Sequence, residues 1–202
     1  LCGIRIPRHV WQACAAHWLA DLQTMEGEPY RLRLLTHEER RKLEAKPDAT
    51  RTVSRGRKVA PGMWGYHGAA GLNGSMTAGG ISSLTICRAA IRGSSGPAYK
   101  SRREIETAIR SGFAWFGREF TVRDLPGPKT RLGDRLYYLY GLERACELNR
   151  VSLLHGRDWY FEGALWLIHT QRPNGAWSRL TDTAFALLFL QRSTLPVVTA
   201  PP

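Results

Sequence analysis

The amino-acid sequence predicts an all-α protein, a helical repeat array of about three helical hairpins. Three observations carry that expectation. A Trp-bearing helix pattern recurs as WLADLQ from Trp18, WFGREF from Trp115 and WLIHTQ from Trp166. Each copy places a small residue three positions before its Trp, at Ala15, Gly112 and Gly163. Between the copies lie more uniformly apolar stretches at helical period, and no stretch alternates convincingly enough to read as a strand pair. Such units bury their apolar partners by stacking side by side.

The first helix spans His9 to Gln23, with Val10, Trp11, Cys14, Trp18, Leu19 and Leu22 at its apolar positions. Gly27 and Pro29 end it. Thr36 caps a short charged helix, THEERRKLEAK, with Glu39 as its capping-box partner. Lys46 to Lys58 has little to bury and is expected to be a mobile loop. Pro61 to Gly74 is rich in glycine and aromatics, after which Ser75 or Thr77 opens an apolar helix ending near Gly93. Ser94 to Ser101 is expected to connect to the second Trp helix, Arg103 to Phe120. Pro126-Gly127-Pro128 ends that helix, and Thr130 to Arg150 forms the next, with a broad apolar face.

The last hairpin is the clearest, Asp158 to Leu190. Asp158 caps the helix bearing Trp159, Leu165, Trp166 and Ile168. Pro173-Asn174-Gly175 breaks the chain, since proline lacks a donor and Asn-Gly tolerates positive φ. Trp177 follows, and Asp182 or Thr183 opens a final helix so apolar that it is expected to be buried on most sides. Trp64 followed by Thr77-Ala78 parallels Trp177 followed by Thr183-Ala184, a looser second copy of the same turn. The whole reads as a single repeat domain over 1–195, interrupted by a basic insertion at 31–60 and followed by a proline-rich tail at 196–202.

Hydrophobic content of 43% with seven Trp fits a folded globule. No apolar run approaches the ~20 residues of a membrane-spanning helix. No signal peptide is visible. The first residue is Leu1 rather than Met, so a preceding segment is expected to be missing and the compartment, cytoplasmic or periplasmic, stays open. Cys2, Cys14, Cys87 and Cys146 form no CxxC pair and are expected to be thiols acting as small hydrophobes. The six His show no metal-ligand spacing. Of the net charge of +12, half lies in residues 31–58, where ten Lys and Arg face four acids. Such a segment could bind phosphates or an anionic membrane surface. Nucleic acid is not an expected partner, because no aromatic interleaves the charges between Leu34 and Pro61. A solvated arginine-rich insertion is the plainer expectation.

The residues Gln171 to Trp177, QRPNGAW, followed by Asp182-Thr183-Ala184, resemble the Q-x-x-x-G-x-W (QW) repeat of squalene cyclases and the related repeats of protein prenyltransferase β-subunits. The resemblance covers about two thirds of the chain, with 31–60 outside it. It implies an α/α toroid, a partial α/α barrel of inner and outer helices around a cavity, here with about three hairpins where the family has about six. Class II terpene cyclases carry a D-x-D-D-T-A acid; the aligned stretch here begins at Arg179 and places Thr181 where the proton-donating Asp belongs. A Thr hydroxyl is far too weak an acid to protonate an alkene. The prenyltransferase zinc set fares no better, with Leu136 at the Cys position after Asp134 and no His beyond His169. No catalytic residue, metal or cofactor is therefore assigned.

In this fold class the N-termini of inner helices face one mouth of the cavity. That places Ser75, Thr77, Asp134 and Asp182 there, with Trp64, Tyr66, Tyr137, Tyr138 and Trp177 beside them, an aromatic lining suited to an apolar, isoprenoid-like ligand. The same residues serve equally as helix caps and core. The expected function is a non-catalytic repeat domain binding an apolar ligand or a protein partner, with self-association to complete the ring a further option. Two alternatives stand beside it: a fragment of a class II terpene cyclase whose catalytic acid lies in a missing part, and a basic adaptor binding an anionic surface through 31–58.

Overall fold

The computed structural model describes residues 6–24, 28–45, 58–68, 70–91, 96–127 and 135–192. It is mostly helical. Helices α1 (Arg8–Ala20), α2 (His37–Ala45), α3 (Gly74–Ala90), α4 (Gly96–Glu119), α5 (Arg135–Leu148), α6 (Trp159–Thr170) and α7 (Leu180–Gln191) follow one another with short strands between them. The central row is α3, α5 and α7: α5 packs against both of the others, α1 and α4 lie against α3, and α6 lies against α7.

The recurring small residues have a direct packing role. Gly112 of α4 sits so close to α3 that a Cβ there would lie 2.8 Å from Ile81 and 2.9 Å from the Trp64 ring. At Gly163 of α6 a Cβ would lie 2.4 Å from the Phe189 ring of α7. Ala15 of α1 is buried. The core these contacts enclose holds Trp64, Trp159, Tyr138, Phe113, Phe116 and Phe189 as its largest wholly buried side chains.

Several helix ends differ from the sequence expectation. The α3 helix is capped by Asn73, whose side chain accepts from the Met76 N–H at 2.9 Å, so Ser75 and Thr77 already lie within the first turn. The segment read as a connector is instead the start of α4, at Gly96. The α7 helix begins at Leu180 with Arg179 as its N-cap; Asp182 is the third residue and reaches back to accept from the Arg179 N–H at 3.0 Å. Acidic residues at that position satisfy a free donor and favour the helix field, which leaves Asp182 inside the helix rather than before it. Thr36 and Glu39 do form the expected box: Thr36 N–H donates to the Glu39 carboxylate at 2.8 Å and Glu39 N–H donates to Thr36 Oγ1 at 3.2 Å.

Strands are present after all, as three two-stranded antiparallel pairs. Strand β1 (Gln23–Thr24) pairs with β5 (Gly62–Met63), β2 (Tyr30–Arg31) with β4 (Lys58–Val59), and β3 (Leu34–Thr36) with β6 (Val151–Leu154). They correct the expectation of a wholly solvated basic insertion. Its first part is stitched to the last hairpin through β6, and α2 is held there by Arg40, which donates to Asp158 at 2.6 Å and to Ser152 Oγ at 3.3 Å. Residues 46–57, the tail from 193 onward and the start of the helix expected at Thr130 lie outside the described residues.

The second correction concerns α7. Only Asp182, Ala186 and Phe189 of that helix are buried; Leu180 is 86% exposed and Leu187 48%. Its composition is that of a helix covered on most sides, and its neighbours cover one.

Candidate functional site

Two turns are built on the same lock. In the first, the Trp64 N–H donates to Thr77 Oγ1 at 3.3 Å, the Thr77 hydroxyl donates to the Asn73 carbonyl at 2.9 Å, and the Trp64 indole donates to the Trp18 carbonyl of α1 at 2.7 Å. In the last, the Trp177 N–H donates to Thr183 Oγ1 at 3.1 Å, the Thr183 hydroxyl donates to the Arg179 carbonyl at 3.2 Å, and the Trp177 indole donates to the Leu167 carbonyl of α6 at 3.0 Å. In both, a Thr in the first turn of the following helix accepts from the Trp backbone, and the indole ties that turn to the preceding Trp helix. Gln171 adds to the second turn by donating to the Gly175 carbonyl at 2.8 Å, with Gly175 at φ 80°. A side chain there would be strained, which is why a Gly follows the Gln at this spacing.

The candidate residues divide according to these locks. Trp64 and Thr77 are wholly buried in the first. Tyr138, also wholly buried, packs its ring 6.1 Å from Phe116, and burial pushes its phenol well above the usual tyrosine range. Ser75 Oγ and Tyr138 Oη are buried with no hydrogen-bond partner among the described residues. Tyr66 is 56% exposed on the loop before α3, and Tyr137 is 44% exposed with its ring 5.4 Å from Phe185 of α7. Asp134 lies outside the described residues.

Trp177 and Asp182 come together at the mouth of a surface cleft of about 280 Å³, shared with Arg135, Arg172, Arg179 and Trp166. Here Arg135 lies over the Trp166 ring, 5.0 Å from its centroid, and its Nε is buried without a hydrogen-bond partner among the described residues. The Asp182 carboxylate is committed to the N-cap and to the Arg179 guanidinium, 3.4 Å away. Thr181 is exposed.

Other features escaped the sequence reading. Arg135, Arg172 and Arg179 had no spacing signal, since they meet only when α5, the turn at 171–177 and α7 are assembled. The exposed side of α6 did have one: Phe161, Leu165 and Ile168 recur at helical spacing opposite Trp159, Gly163 and Leu167, so this helix is apolar on two faces. Among the described residues no three His, Cys, Asp or Glu side chains group as metal ligands. Among them also, no helix is long and apolar enough to cross a membrane. The thiols of Cys87 and Cys146 are buried; burial first, then the neighbouring Cys14 thiol, pushes Cys87 up to about 12.

Comparison of the chain with protein-family models, with curated proteins and with solved structures found no match.

Proposed function

We propose that the chain is a non-catalytic helical-repeat domain resembling those of squalene cyclases and prenyltransferase β-subunits, an arc of an α/α toroid that binds an apolar ligand or a protein partner. The repeated Trp–Thr lock supports the repeat reading, as does the row α3–α5–α7 with α1, α4 and α6 behind it. The observation that carries the binding reading is α7. A helix of the sequence LTDTAFALLFLQ leaves Leu180, Ala184 and Leu187 exposed beside the exposed Tyr137 ring. Monomeric folds rarely leave such a run uncovered without a use for it. With Thr181 in place of an acid and Leu136 in place of a thiolate, the residues suit binding rather than chemistry.

Native mass spectrometry of the full chain purified from cells, followed by extraction of bound lipid, tests this. The expected result is a stoichiometric apolar molecule or a second polypeptide, lost in Leu187→Arg, whose side chain is too exposed to hold the fold. A ligand-free monomer, with the variant indistinguishable from the parent, would overturn the proposal.

A further inference from the structure

The cleft bordered by the last Trp–Thr turn holds cations that the described chain leaves unsatisfied. It measures about 280 Å³ and lies between the start of α5, the end of α6, the turn at 171–177 and the start of α7. Arg135 enters it from α5, Arg172 from the turn and Arg179 from the N-cap of α7.

The charges there do not cancel. Asp182, which lines the cleft, is taken by Arg179. Arg135 approaches the exposed Asp124 only to 3.8 Å, beyond hydrogen-bond distance and worth little against water. Even with Asp182 set against Arg179 and Asp124 against Arg135, Arg172 is left over, exposed and paired with no acid among the described residues. The Arg135 guanidinium is mostly buried, yet among the described residues it donates no hydrogen bond, and its Nε is covered. It is held instead by the Trp166 ring, 5.0 Å from the centroid, which supplies no acceptor oxygen.

A buried guanidinium that donates to nothing in its own chain calls for an acceptor from outside. Arg135 and Arg172 come from different elements, so they do not form a single planar fork. Donors converging from separate directions suit a tetrahedral oxyanion better than a flat carboxylate. The cleft also has an apolar wall in Trp166, Leu136 and Trp177, which a bare ion would leave uncovered.

We infer that this cleft binds a small phosphate monoester, its phosphate held by Arg135 and Arg172 and its organic part lying against Trp166. Leu187 does not line the cleft, so this reading and that of the α7 face are tested apart.

Isothermal titration of the full chain with phenyl phosphate, at fixed ionic strength in a phosphate-free buffer, is the test. Inorganic phosphate and benzoate are the comparison probes. The expected result is one saturable site for phenyl phosphate and weaker binding of both other probes. Affinity should fall about tenfold in Arg172→Ala and at least as far in Arg135→Met, the effect of losing a charge-assisted hydrogen bond. Arg123→Ala, outside the cleft, and Leu187→Ser should bind like the parent. Arg172 is exposed, so its variant should melt with the parent and carries the test even if Arg135→Met fails to fold. Absence of a saturable site would overturn the proposal. So would binding that Arg172→Ala leaves intact or that Arg123→Ala lowers equally, which would be attraction to the net charge alone. Benzoate binding as tightly as phenyl phosphate would give the cleft to a carboxylate, and inorganic phosphate doing so would give it to the free ion; either result overturns the ester.

Discussion

The first and the last Trp–Thr turns use the same three hydrogen bonds, yet they sit in different company. Around Trp64 and Thr77, α3 is packed by α1, α4 and α5, and both residues are wholly buried. Around Trp177 and Thr183, α7 is packed chiefly by α5 and α6 among the described residues; Thr183 is half-buried and the next face of the helix is open. The local chemistry is shared, so the difference lies in the neighbours. A turn that is only a structural lock where α3 is enclosed by three helices becomes, beside the less covered α7, the rim of a cleft lined by Arg135, Arg172 and Arg179.

That comparison ranks the expected effects of mutation. Trp64→Ala should be the most damaging, because it empties the centre of the core and strands the Trp18 carbonyl. Replacing a large buried aromatic costs about 3–5 kcal/mol, enough to unfold a marginal domain. Trp177→Ala should fall below that range, since its surroundings open onto a cleft that water can enter. Urea denaturation followed by circular dichroism measures both. Equal losses would mean that the two turns are equally interior, and would remove the basis for treating the last one as a site.

A finer version compares the hydroxyls. Thr77→Val keeps the shape but leaves the Trp64 N–H buried without an acceptor, at a cost of about 1–3 kcal/mol. Thr183→Val removes the same acceptor where water can replace it, and should cost about 0.5–1 kcal/mol. The close-packed glycines extend the comparison to the helix contacts. Gly112→Ala pushes against Ile81 and a Trp64 ring tethered through its indole, and should cost about 1–3 kcal/mol as overpacking. Gly163→Ala meets the Phe189 ring, which is wholly buried against Trp159 and Tyr160, and should cost about 1–3 kcal/mol as well. A loss at Gly163 well below that at Gly112 would argue that the α6–α7 contact yields where the α3–α4 contact does not.

The two Trp–Thr turns were legible because they are written in short-range patterns. Trp, a small residue three before it, and Gly after Gln are all within one helix or one turn, and each has a packing or backbone reason. Thr36 with Glu39 was legible on the same grounds. The strand pairs were not: β3 and β6 are two short runs more than a hundred residues apart, and their pairing depends on where the helices place them. Nor was the exposure of α7 legible, since an apolar stretch records what a helix is able to bury and its neighbours decide what it does bury. Of the candidate residues, those in the locks announced themselves as a Trp followed by Thr-Ala, across a longer loop in the first copy than in the last. The arginines of the cleft come from three separate segments and share no pattern.

Alkali gives one further test, and it falls on the interior side of the comparison. Cys87 of α3 is buried, and its thiol is pushed up to about 12, first by burial and then by the neighbouring Cys14 thiol. Cys146 and Tyr138 of α5 are pushed up in the same direction, chiefly by burial. In the unfolded chain thiols release their protons near pH 8.5. Between that pH and about 12 the folded state therefore holds protons that the unfolded state has lost, and stability must fall as pH rises. Below the unfolded value both states are protonated, and this contribution is fully present. The α7 turn contributes no such group among the described residues. Urea midpoints at pH 8 and pH 10.5 should thus fall less steeply for Cys87→Ala than for the parent, whatever cavity penalty the substitution adds at both pH values. The Thr183→Val variant should fall in parallel with the parent. Parallel loss in all three would mean that the α3 thiol already meets water, and that α3 is as open as α7.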